Sequence, residues 1–145
     1  MIIRTLFLIL ALLPIQVNAN EKLRFQPPVS YKENKVLKFA ASARNFNREE
    51  VVIASTDLNN DAINEYIITP QNSDFCKQNK LCPYIIVAFQ NHKPIEIGQF
   101  DAHKILISNK KSYGIRQIIV YNNAYNDFKY ITAIWNPFSF RFEGP

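Results

Sequence analysis

Two different periodicities divide the chain. Between residues 31 and 44 the apolar positions Val36, Leu37, Phe39, Ala40 and Ala43 recur at helical intervals, which predicts one amphipathic helix there. Ser30 and Glu33 precede that pattern at the spacing of a capping box, in which a hydroxyl and a carboxylate each accept an otherwise orphaned amide. Ahead of it, Pro27-Pro28 forbids helical hydrogen bonding and biases Gln26 away from the helical region, so residues 21–28 read as an extended lead-in. Asn45 and Asn47 suit the far end, since asparagine tolerates the left-handed conformation that often terminates a helix.

Beyond residue 50 the apolar positions fall instead in short runs rich in β-branched and aromatic residues: 51–54, 65–68, 84–89, 94–99, 104–108, 115–121, 128–135 and 138–142. Asn91-His92-Lys93-Pro94, Asn109-Lys110-Lys111-Ser112 and Asn136-Pro137 supply turn chemistry at short spacing, which favours antiparallel neighbours over helical crossovers. Phe138, Phe140 and Phe142 alternate with Ser139 and Arg141, predicting a last hairpin with three rings buried on one face. In the preceding run Tyr130, Thr132 and Ile134 alternate with Ile131, Ala133 and Trp135, leaving both faces apolar, as in a central or a ligand-facing strand. The fold expected is α+β and mostly β, with an N-terminal helix packed on an antiparallel β-meander of about seven or eight short strands.

The first residues carry a different signal. Arg4 leads into an apolar run at 6–13, Pro14 breaks it, and Val17-Asn18-Ala19 offers the positions a signal peptidase reads. A membrane-spanning helix wants about 20 apolar residues, so residues 1–19 are expected to be a cleaved secretory signal and 20–145 a single globular domain. The expected location is the periplasm or the exterior, with no membrane-spanning segment. Apolar residues at 48% and aromatics at 13% exclude a disordered chain, and three glycines without internal repeats exclude solenoids and propellers. The formal charge of +5, about +4 once Arg4 leaves with the signal, is spread along the chain with only Lys110-Lys111 adjacent. That dispersion lacks the concentrated stripe that tracks a phosphate backbone, so nucleic acid is not an expected partner.

The richest chemistry lies at Asp57-Leu58-Asn59-Asn60-Asp61-Ala62-Ile63-Asn64-Glu65, where oxygen-bearing side chains alternate from 57 to 61 and a carboxylate returns at 65. A hard cation needs six to eight oxygens, which such spacing supplies from side chains and a backbone carbonyl. Strand patterns flank the loop and the twelfth position is Ile68, so an EF-hand is excluded. The segment resembles the strand-loop-strand calcium motif, Asp-x-Asn-x-Asp-Gly-x-x-Asp/Glu, of FG-GAP and related repeats, found singly in short exported bacterial proteins that also carry a cysteine pair. The resemblance implies a structural Ca2+ held by Asp57, Asn59, Asp61 and Glu65 side chains and the Ile63 carbonyl. It departs at Ala62, where the family has glycine to turn through positive φ; a Cβ there costs about 1–2 kcal/mol. The same residues also suit an ordinary hairpin turn whose side chains bond their own backbone.

Cys76 and Cys82 are the only cysteines, and in an oxidising compartment they are expected to form one disulfide around residues 77–81. So short a closure is worth about 2 kcal/mol and mainly makes a rigid, displayed turn, with Lys77, Lys80 and Leu81 as candidate partner contacts. His92 and His103 have no recognisable partners, the serines lack a nucleophile elbow, and Glu49, Glu50, Asp101 and Asp127 carry no specific signal. No enzyme is therefore expected. The function expected is that of an exported, periplasmic, non-enzymatic binding protein, such as an inhibitor or immunity protein against a secreted or cell-wall-acting enzyme. The alternative is a calcium-stabilised, envelope-associated structural module.

Overall fold

The computed structural model describes residues 19–71, 76, 81–123 and 129–144. The expected signal segment thus lies, but for Ala19, outside the described residues, as do Lys77, Lys80 and Asp127. In chain order the elements are β1 (Glu21–Lys22), α1 (Tyr31–Ser42), a 3-10 turn (Arg48–Glu50), β2 (Val51–Thr56), β3 (Glu65–Pro70), β4 (Cys82–Gln90), β5 (Lys93–Ala102), β6 (Lys104–Ser112), β7 (Ile115–Tyr121), β8 (Tyr130–Asn136) and β9 (Arg141–Glu143). The protein is mostly β, antiparallel, with one α-helix among the described residues.

The strands form two sheets, ordered β2-β3-β4-β5 and β1-β6-β7-β8-β9, in place of one meander of about seven or eight. The division falls at His103, between β5 and β6, which do not pair, and the ninth strand comes from the lead-in. Glu21 and Lys22 pair with Ile107 and Leu106 as β1, ahead of the helix, and Gln26 exchanges N–H···O bonds of 3.0 and 2.9 Å with Ile53 of β2. Leu23 and Phe25 pack into the core between the sheets, so this segment ties the two sheets together along one edge.

The helix forms where its pattern places it, and the capping box is complete: the Ser30 hydroxyl accepts from the Glu33 amide while Glu33 accepts from the amide of Ser30. Val36, Leu37, Ala40 and Ala41 bury against Ile53, Tyr66, Ile68, Ile85 and Val87 on the outer face of the four-stranded sheet. The opposite face sends Ile67, Tyr84, Ile86 and Ile97 against Ile105, Ile107, Ile118, Val120, Ala133 and Phe142 of the second sheet. Strands β3 and β4 are buried on both faces, which explains their unbroken apolar runs. Burial of each such side chain stabilises the fold by about 1.5–3 kcal/mol.

A bulge lets β5 serve this core along its whole length. Ile86 faces Gly98 while Val87 faces Glu96, leaving Ile97 as the extra residue. The inward side chains accordingly change parity, Ile95 and Ile97 before the bulge and Phe100 and Ala102 after it. A Cβ on Gly98 would stand 3.2 Å from Cβ of Phe142, so the missing side chain permits the approach of β5 to β9 along the other edge.

Two turn assignments differ from the sequence pattern. Residues 109–112 continue β6, and the reversal falls on Tyr113 and Gly114, both at positive φ. The last hairpin buries one ring, not three: Phe142 is 5% exposed, whereas Phe138 and Phe140 are 91% and 69% exposed. Asn136 Oδ1 accepts from the amides of Phe138 and Ser139 at 2.9 and 3.4 Å, and Phe140 sits at φ 53°, so this local turn replaces the strand until Arg141.

Candidate functional site

The acidic loop between β2 and β3 is organised around Asp57. Its Oδ1 accepts from the amides of Asn59, Asn60 and Asp61 at 3.2, 2.7 and 3.3 Å, and its Oδ2 from that of Ala62 at 2.9 Å. Solvent loss opposes the charge, but the amides of Ala62, Asn60, Asn59 and Asp61 together outweigh it and hold the carboxyl below its ordinary value. Asn59 Oδ1 accepts from the Asp61 amide, Asp61 Oδ1 accepts from the Ile63 amide at 2.7 Å, and Asn59 Nδ2 donates to Asp61 Oδ2. Asn60 and Ala62 both stand at φ 65°, the conformation a glycine would take without strain.

The loop is fixed at its base. Leu58 is buried in the inter-sheet core, its carbonyl accepts from the Arg116 amide of β7 at 2.8 Å, and its own amide donates to Glu65 Oε2 at 2.9 Å. Glu65, only 8% exposed, has its carboxyl raised above the ordinary value, first by burial and then by the like charges of Asp61 and Asp57. Three arginines elsewhere are paired, Arg44 and Arg141 with Glu96 and Arg116 with Glu21. Among the described residues no basic side chain pairs with a loop carboxylate.

The donor set is all oxygen and hard, the chemistry calcium prefers. As placed, these oxygens point at amides, and among the described residues no three His, Cys, Asp or Glu side chains converge closely enough to hold a metal ion.

Beside the loop the ends of the two sheets part around a cleft of about 410 Å³. Ala88 of β4, Ile95 and Ile97 of β5, Ile115 of β7 and Trp135 of β8 supply apolar walls. Asn59, Asp61 and Glu65 bring the polar atoms, and exposed Ile63 and Phe140 stand at its rim. Trp135 meets Phe142 and Phe140 edge-on at ring distances of 5.5 and 6.5 Å. On its other side the same hairpin forms a second hollow with Tyr113, Ile134 and Phe138.

The disulfide between Cys76 and Cys82 is present, with Cα atoms 4.8 Å apart. Leu81 lines a separate hollow with Arg44, Phe46, Pro83, Gln99 and Asp101, at the end of β4 remote from the cleft. His92 lies exposed in the β4–β5 turn, where its carbonyl accepts from Lys35 Nζ, and the His103 carbonyl accepts from Tyr84 Oη at the β5–β6 bend. Sequence reasoning missed the cleft because its residues come from five separate segments; the one usable signal was the apolar character of both faces around Trp135. Comparison with protein-family models, with curated proteins and with solved structures finds no match. Among the described residues no helix is long and apolar enough to cross a membrane.

Proposed function

We propose that the chain is an exported, non-enzymatic binding protein that engages a protein partner, such as a secreted or wall-acting enzyme, through the end of the sandwich bearing the Phe138–Phe140 turn. The observation that carries this reading is the exposure of Tyr113, Ile134, Phe138 and Phe140, at 70%, 42%, 91% and 69%, around two hollows that share Trp135. Exposed aromatic clusters flanking a pocket are where interface energy concentrates. The disulfide supports an oxidising compartment, periplasmic or external. The rival contact is the cysteine-bridged stretch, of which Leu81 and Cys82 stand at the opposite end of β4 while Lys77 and Lys80 lie outside the described residues. The test is inhibition of a panel of secreted wall-cleaving enzymes by the exported form. Inhibition weakened about tenfold or more by Phe138→Ser with Phe140→Ser, and unmoved by changes at Lys77, Lys80 and Leu81, supports the assignment. No inhibition at all, or inhibition by the variant equal to wild type, overturns it.

A calcium-stabilised envelope module is the second reading, favoured by the positive φ at Ala62, where the calcium motif has glycine. Its test is thermal unfolding with millimolar calcium and with chelator: a calcium-dependent rise abolished by Asp57→Ala supports a structural ion, because a ligand confined to the folded state must stabilise it. No shift makes the loop an ordinary turn.

A further inference from the structure

We propose that the cleft between the acidic loop and Trp135 is a binding site for a small amphiphilic cation, an alkyl- or arylammonium whose apolar body lies among the sheet ends and whose charge meets Glu65 and Asp61. Three observations carry this. The cleft is closed on the sheet side by apolar residues, Ala88, Ile95, Ile97, Ile115 and Trp135, and its volume of about 410 Å³ falls within the range that small ligands occupy. A buried acidic residue lines it: Glu65 is 8% exposed, and one of its carboxylate oxygens accepts from the Leu58 amide. None of the lining residues is basic, and no basic side chain among the described residues pairs with Glu65 or Asp61.

Lys32 and Lys35 of α1 sit over the Phe89 ring on the helix-covered face of the sheet, 5.8 and 6.0 Å from its centre. A buried carboxylate against apolar walls is costly without a counter-ion, and a ligand that brings the charge and an apolar body together satisfies both surfaces. Trp135 and Phe140 add aromatic faces on which an ammonium is attracted. An anionic or purely apolar ligand leaves the carboxylate pair repelled or unpaired. The site therefore discriminates by charge where apolar pockets discriminate only by size.

Trp135 is the only tryptophan, so its fluorescence reports the cleft directly. Wild type would be titrated with hexylammonium, hexanol and hexanoate, chelator being present throughout to keep divalent cations from the loop. The expected result is a saturable change with hexylammonium at an affinity about tenfold or more above hexanol, with hexanoate weakest. Glu65→Gln is expected to abolish the preference for the amine over the alcohol while leaving hexanol binding unchanged. Asp61→Asn, exposed at the mouth and able to keep an oxygen toward the Ile63 amide, lies outside the inter-sheet core and is expected to weaken the amine alone. Equal binding of amine and alcohol, absence of a saturable signal, or a preference that survives both substitutions overturns the proposal.

Discussion

At the scale of single residues the loop carboxylates pull stability in opposite directions with pH. Asp57 is held below its ordinary value, so its contribution is present above the ordinary carboxylate range and is lost as pH falls through the lowered value. Glu65 is held above its ordinary value; the stability it brings is full below that ordinary value and is lost as pH rises through the raised one. Glu65→Gln is therefore expected to melt higher than wild type at neutral pH, with the difference vanishing below about pH 4, where both side chains are neutral. Melting curves over that interval decide it, and a variant less stable at neutral pH shows that the charge is compensated in a way the ion pairs do not reveal. Ala62 makes a second prediction. A Cβ at φ 65° is strained, so Ala62→Gly is expected to gain up to about 1 kcal/mol, the relief being partly offset by greater freedom of the unfolded chain. Urea midpoints measure it directly.

At the scale of elements, what was legible in the sequence was whatever local chemistry decides. The capping box at Ser30 and Glu33 fixed where α1 begins, and Ser30→Ala is expected to cost about 1 kcal/mol in a urea titration, since Asn34 also bonds the Ser30 carbonyl and will not replace the lost acceptor. The Asn91-His92 reversal, both residues at positive φ, was likewise readable from turn-forming side chains. The failures share one physical cause. Asn109 to Ser112 carries turn-prone residues, but pairing of Lys111 with Arg116 and Ser112 with Ile115 extends β6 past them, and the reversal falls where Gly114 permits it. Phe138, Phe140 and Phe142 alternate as a strand should, yet the Asn136 side chain captures two amides and turns the chain first. Alternation alone does not reveal which backbone hydrogen bonds a strand will find. The loop residues were found because they are contiguous; the cleft walls were not, because sheet pairing assembles them from distant segments.

At the scale of the whole molecule the remaining question is which apolar groups hold the fold together and which are there for something else. Phe142 packs at the seam where β5 meets β9, next to Gly98 and Trp135, and truncating it opens a cavity between the sheets. Phe142→Ala is expected to cost about 3–5 kcal/mol. Phe138, in the turn of the same hairpin and 91% exposed, makes almost no such contribution, and Phe138→Ser is expected to leave the urea midpoint within about 0.5 kcal/mol of wild type. The contrast separates structure from surface within one five-residue stretch. The Cys76–Cys82 bridge supplies an intermediate standard: closing so short a loop restricts little chain entropy, so replacing both cysteines by serine is expected to cost about 2 kcal/mol. If Phe138→Ser destabilises as much as that double replacement, the ring is part of the fold and the exposed face is not a docking surface. If it costs nothing while Phe142→Ala costs several times more than the disulfide, the exposed rings stand apart from the stability of the domain, as a partner-binding end requires.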